Sequence, residues 1–172
     1  MIPNEREQTC KTYYAKAKQI CDNLDDRTDF QLKAEGLRDA WSAFDAYLGW
    51  KFPAHTNREM QVNFAVHYDS QFRTWAKSDK FNNSIKWLML LSPVKDMTPV
   101  RPSRDAVIDD PDNLDQIIYL LYRVRSNLDH GAKDLESSTR HADRNRKLVE
   151  HSLMVTYEIL SNTLRIDRII LR

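Results

Sequence analysis

Three glycines and six prolines in 172 residues are too few for a turn-rich β architecture. Leu, Ala, Lys, Arg, Asp and Asn instead fill long periodic stretches, so the chain is expected to be all-α. Only two cysteines occur, Cys10 and Cys21. On one predicted helix they are separated by about 16 Å of rise and cannot bridge each other. Free, core-facing thiols suit a reducing cytoplasm, the expected location. The net charge of +1 removes any whole-chain argument for nucleic-acid or membrane binding, so a basic site must be a local patch. Apolar runs such as Trp87 to Leu91 are far too short to cross a bilayer. Met1-Ile-Pro-Asn-Glu-Arg-Glu leads into a polar helix without a signal-peptide pattern. There is no H-E-x-x-H, C-x-x-C, Walker-type loop or G-x-S-x-G elbow. His130, His141 and His151 lack a spacing that converges on one metal, so neither metal nor cofactor is expected.

What is present reads as one domain spanning residues 1–172, a compact bundle of about five to six helices with an up-down core. Helix one is expected from about Glu5 to Leu24, with Cys10, Tyr13, Tyr14, Ala17, Cys21 and Leu24 as its stripe. Helix two starts after Thr28 or Asp29 and runs to about Trp50, stopped by Gly49 and Pro53. Thr56-Asn-Arg-Glu59 forms a capping box opening helix three, whose apolar face is Met60, Phe64, Tyr68, Phe72 and Trp75. A shorter helix, roughly Asp79 to Leu91, carries Trp87-Leu-Met-Leu-Leu and is expected to be central and fully packed. One long irregular stretch covers residues 92–109, with Pro93, Pro99 and Pro102; it is either a functional loop or a plain surface excursion. Asp110-Pro111 supplies an N-cap and first-turn proline for the next helix. The last helix runs from about Ser138 to Ile166, with Leu148, Ser152, Leu153, Thr156, Tyr157, Leu160 and Leu164 inward.

The fifth helix holds the most informative residues. Leu114, Ile117, Ile118, Leu121 and Leu128 define one buried stripe, and a step of 100° per residue puts Arg125 near its middle. A guanidinium cannot shed its charge, so it must meet a carboxylate, a second subunit or an anionic ligand. An ordinary ion pair with Asp129, four residues on, would satisfy it equally. His130 follows, then Gly131, a combination that reads as a helix stop carrying a titratable side chain.

The run Val124-Arg125-Ser126-Asn127-Leu128-Asp129-His130-Gly131 resembles the R-x4-6-H signature of HEPN domains. It is most similar to the abortive-infection-type, Apea-like branch, with its Val-Arg-Asn-Asn-Leu-Phe-His-Gly pattern. The resemblance implies a helical bundle, commonly dimeric, and in many members a metal-independent ribonuclease of toxin or anti-phage systems. Ser126 stands where the family usually has Asn, Asp or His. Ala132 stands where toxins paired with a nucleotidyltransferase antitoxin carry tyrosine, which argues against that pairing.

Metal-independent RNA cleavage uses the 2′-hydroxyl as nucleophile and needs a base, an acid and positive charge on the phosphorane. His130 is the expected acid or base and Arg125 the phosphate-stabilising fork. Ser126, Asn127 and Asp129 are candidate supporting residues. Tyr122, on a strip with Asp115 and Tyr119, either stacks a base or packs as a helix flank. Residues five apart on a continuous helix point about 140° apart, so the helix is expected to end near Asp129 and bring His130 round to Arg125. Asp45 on helix two is the carboxylate placed to hold Arg125 from behind. Arg140, His141, Arg144, Arg146 and Lys147 form the clearest basic cluster. Arg140, Arg144 and Lys147 share a face that either tracks an RNA backbone or is simply solvated.

One histidine per chain serves two proton transfers poorly, and a homodimer with the motif at its two-fold interface removes that difficulty. The expected function is therefore an HEPN-type endoribonuclease acting on RNA, plausible as a toxin or phage-defence effector with an antitoxin or defence-system partner and no membrane association. Two alternatives stay open. One is a non-catalytic HEPN-like module that binds RNA, nucleotide or protein. The other is an unrelated helical dimerisation or adaptor domain.

Overall fold

The computed structural model describes residues 4–25, 28–95, 105–137 and 142–169, the side chains of 130–137 excepted. It is an all-helical bundle. The helices among these residues are α1 (Glu5–Asp22), α2 (Phe30–Lys51), α3 (Asn57–Thr74), α4 (Asp79–Leu91), α5 (Leu114–Ser137) and α6 (Ala142–Ile166). Their starts are fixed by side-chain caps that satisfy otherwise unbonded N–H groups. The Asn4 and Asp29 carboxamide and carboxylate cap α1 and α2. Thr56 and Glu59 form the full reciprocal box at α3, and Ser78 caps α4.

Helices α2 and α6 are the hubs: α2 packs on α1, α3, α5 and α6, while α6 packs on α1, α2, α4 and α5. An aromatic core runs from α2 through α3 to α4, in which Phe44, Tyr47, Phe64, Tyr68, Phe72 and Phe81 are all buried. Phe44 and Phe64 meet edge to face at 4.9 Å and 88°, the arrangement ring quadrupoles favour. Cys10 and Cys21 are both buried and unbridged, and burial pushes each thiol up to about 12.

Four expectations are corrected. The central element is α6, not α4: α6 buries Leu148, Val149, Leu153, Val155, Ile159 and Leu160 around much of its girth. On α4 only Phe81, Ser84, Ile85 and Leu88 are buried, and Leu90 is 75% exposed. An all-apolar run thus overstates burial when only one face meets the core. Asp110-Pro111 does not cap α5 directly. Asp110 closes a turn by accepting from the Asp112 N–H, and Asn113 accepts from Gln116 N as the true cap. Gly49 does not stop α2, which runs through it to Lys51. Gly131 does not stop α5, which runs on to Ser137.

All three glycines therefore sit inside helices, despite a cost of about 1 kcal/mol each relative to alanine. At two of them the reason is close approach. A Cβ at Gly36 would lie 3.0 Å from both Ile20 and Leu153, so its absence lets α1 and α6 close on α2. A Cβ at Gly49 would lie 1.8 Å from Arg6 Nη1, so the glycine is the notch through which Arg6 crosses α2.

The long loop begins and ends as a pinned pair. Val94 and Ala106 exchange two backbone hydrogen bonds of 2.8 and 2.9 Å. Residues 96–104, including Pro99 and Pro102, lie outside the described residues. No helix among the described residues is long and apolar enough to cross a membrane.

Candidate functional site

The stripe of α5 is buried as its spacing predicts: Leu114, Ile117, Ile118, Leu121 and Leu128 are at most 1% exposed, with Leu120 and Val124 beside them. Arg125 is not at the middle of that stripe but on its flank, with its side chain 36% exposed. Partial exposure spares the guanidinium the penalty of full burial. Its Nη2 pairs with Asp129 Oδ2 at 3.0 Å, one turn along the same helix. Its Nε is buried and has no hydrogen-bond partner among the described residues.

Asp129 is shared. Arg38 of α2 donates from Nε to Asp129 Oδ1 at 3.2 Å, so one carboxylate bridges guanidinium groups from two helices. Further along α2, Asp45 sits in the electrostatic field of both Arg125 and Arg6. Burial raises the Asp45 carboxyl above the ordinary aspartate value, and the two arginines only partly pull it back. Residues 38, 45 and 49 share one face of α2 by spacings of seven and four. Along that face run Arg38, Asp45 and the Gly49 notch filled by Arg6, opposite Asp129 and Arg125 of α5. Signs alternate through the cluster, with three cations and two anions.

The supporting residues have specific occupations. Ser126 is buried. Asn127 donates from Nδ2 to the Lys95 carbonyl at 2.7 Å, tying α5 to the start of the long loop. Tyr122 is half-buried, with Trp41 at 6.0 Å and the Arg123 guanidinium over its ring at 5.7 Å. Tyr119 lies beneath the Arg58 and Arg123 guanidiniums, and Asp115 pairs with Arg58 at 2.6 Å. These two tyrosines are packed flanks of a helix.

His130 lies within the continuous span of α5, so backbone positions 125 and 130 are about 140° apart around the axis. The expected turn at Asp129–Gly131 is absent. Uninterrupted backbone hydrogen bonding here outweighs the local cost of one glycine. The His130 side chain lies outside the described residues, as do Arg140 and His141.

Two residues of the basic face have specific neighbours. Arg144 donates from Nη2 to the carbonyls of Leu91 and Pro93, at 2.5 and 3.0 Å, so it caps the C-terminus of α4. Lys147 lies 4.1 Å above the Trp87 ring, which stacks on His151 at 5.6 Å and 7°. His151 Nδ1 is 3.1 Å from Ser84 Oγ, and burial lowers its pKa below the ordinary value. Lys33, itself buried, pairs with Glu150 at 2.7 Å nearby. Among the described residues no three His, Cys, Asp or Glu side chains cluster so as to hold a metal.

Arg38 and Arg6 escape a motif-centred reading of the sequence. The signal for Arg38 was the register of α2, where it falls on the face of Asp45. Arg6 left none, because the fit of its guanidinium over Gly49 depends on how α1 docks. Compared with known protein families, with curated proteins and with solved structures, the chain matches none significantly.

Proposed function

We propose that this chain is an HEPN-type, metal-independent endoribonuclease that works as a homodimer. The carrying observation is Arg125 with its neighbours. A permanent cation is held half-exposed on the flank of a core helix, in the sequence Val124 to Gly131 that resembles the HEPN signature, within an all-helical bundle. Arg125 would stabilise the phosphorane, and His130 would act as acid or base in the attack of the RNA 2′-hydroxyl. Because α5 is continuous, helix geometry does not turn the two positions toward one another within a protomer. Pairing of motif helices about a two-fold axis supplies the missing group from the second copy. A toxin or phage-defence role, with an antitoxin or defence partner, follows the resemblance.

The second reading, a non-catalytic HEPN-like module binding RNA, nucleotide or protein, is favoured by two specific observations. Arg125 already has a carboxylate, and the turn that would gather Arg125 with His130 is not formed.

Incubation with RNA in excess EDTA separates the two readings. The nuclease yields 2′,3′-cyclic phosphate ends, and both Arg125→Ala and His130→Ala abolish them. RNA binding without turnover supports the module instead. Cleavage untouched by both substitutions removes the mechanism. In bacteria, growth arrest by the wild type but not by His130→Ala is the matching outcome.

A further inference from the structure

We propose that Arg38 and Arg125 are the two jaws of a phosphate clamp, and that Asp129 occupies it as an internal stand-in which an RNA phosphodiester displaces. The clamp builds on the RNA-directed reading above and adds to it a residue from α2 and an exchangeable anion. Its geometry is the convergence on one carboxylate of Arg38 Nε at 3.2 Å and Arg125 Nη2 at 3.0 Å, from two different helices. A phosphodiester presents two non-bridging oxygens and one negative charge, so it matches what Asp129 now offers.

Three features make Asp129 displaceable. The three side chains are between 29% and 39% exposed, so a ligand reaches them from solvent. A part-exposed pair four residues apart contributes little to stability, so breaking it is cheap. And Asp129 leaves one donor of Arg125 unmet: the buried Nε. Once the carboxylate withdraws, the guanidinium turns about its stem and offers Nε and Nη2 together as a side-on fork.

Charge balance points the same way. Arg6, Arg38 and Arg125 accompany Asp45 and Asp129, and Asp45 lies on α2 in the field of both Arg6 and Arg125. With Asp129 withdrawn the cluster is two charges positive of neutral, and a phosphodiester restores the present balance. The clamp therefore trades one anion for another at constant charge. Arg38→Ala breaks one jaw, and Asp129→Asn removes the competitor while keeping its shape.

The test uses two probes on the full chain: inorganic phosphate, followed through the arginine Nε–H NMR signals, and a 2′-O-methyl RNA oligonucleotide that cannot be cleaved, followed by anisotropy. Asp129→Asn is expected to tighten both by up to about tenfold, a coupling typical of one competing charge. Arg38→Ala is expected to weaken both and to lower the salt slope of RNA binding by about one. Arg38→Lys restores only part of the affinity, since lysine lacks the fork. Unchanged or weaker phosphate and RNA binding in Asp129→Asn overturns the clamp. RNA bound equally by wild type, Asp129→Asn and Arg38→Ala overturns the clamp and leaves the RNA reading intact. Phosphate tightened by Asp129→Asn with no RNA bound by any variant keeps a phosphate clamp and removes RNA as its occupant.

Discussion

Asp167 and Asp129 are both carboxylates shared between donors, yet they are built on opposite lines. At Asp167 the donors are the Tyr47 and Tyr68 hydroxyls, each 2.7 Å from a carboxylate oxygen, with the two hydroxyl oxygens 2.7 Å apart. Both rings are at most 1% exposed. The carboxylate is placed by the end of α6, where Arg168 takes φ 53° and the Ile169 N–H bonds the Leu164 carbonyl. That is a Schellman closure, made with a non-glycine residue at a cost of about 1 kcal/mol or more. At Asp129 the donors ride on long, part-exposed arginine stems, and one of their N–H groups is unmet. The first cluster has short contacts to two buried phenols, so it fixes structure. The second is wet, stretched and incomplete, so it is suited to exchange.

The largest expected effect lies at the exchangeable cluster and is on function. Arg125→Ala should lower RNA cleavage by about 10²–10³-fold, the usual loss when one preorganised donor to a developing oxyanion is removed. Its melting temperature should barely move, because a part-exposed pair of this kind is worth less than about 1 kcal/mol. Parallel cleavage assays and thermal melts measure the split. A large loss of stability with cleavage retained would place Arg125 with the structural cluster instead.

Asp167→Ala should show the reverse. Two buried phenols lose a charged acceptor, which costs about 2–4 kcal/mol in urea unfolding, while RNA affinity holds. Acid should act in the same direction. Burial raises the Asp167 carboxyl, but the two tyrosine hydrogen bonds and Lys51 outweigh it, leaving the pKa below the ordinary 3.8. A depressed folded-state value means that the stabilisation is complete above the unfolded value and is lost as pH falls from about 3.8 through the folded one. In Asp167→Ala that segment of the stability–pH curve should flatten.

The same contrast governs what could be read from the chain. Local signals sufficed where one residue's chemistry decides. The Thr56–Glu59 box opens α3 as its spacing predicts, and α4 spans Asp79–Leu91 as expected. They failed where packing decides. Gly49 and Gly131 look like stops, but a helix docked along its length tolerates one glycine, and only the approach of Arg6 explains the first. The alternative partner of Arg125, Asp129 one turn on, was legible from spacing alone, and it is the contact formed. Arg38 as the second partner of that carboxylate was not, because the contact joins residues 91 apart.

A smaller effect is expected at the buried Ser84–His151 pair. Ser84→Ala leaves a buried imidazole nitrogen without its partner, for a cost of about 1–2 kcal/mol. Burial depresses the His151 pKa below 6.5 against the raising influence of Glu150. Stability should therefore fall as pH drops from about 6.5 through the folded value, since the unfolded chain binds the proton more readily. His151→Phe, which still stacks on Trp87, should remove that slope in pH-dependent urea melts.

The smallest effect is the sharpest test of how loosely the arginine cluster is held. In Gly49→Ala the new Cβ would fall 1.8 Å from Arg6 Nη1, so the guanidinium must leave. It is the far end of a flexible chain, and moving it costs little, while the helix gains about 1 kcal/mol of propensity. Stability should therefore rise slightly, by less than about 1 kcal/mol. With the field of Arg6 reduced, the raised Asp45 carboxyl should climb further, visible in a carboxyl-carbon NMR titration. A loss of more than about 1 kcal/mol would instead mean that Arg6 is anchored as firmly as the two tyrosines around Asp167, and the division between a fixed and an exchangeable cluster would not hold.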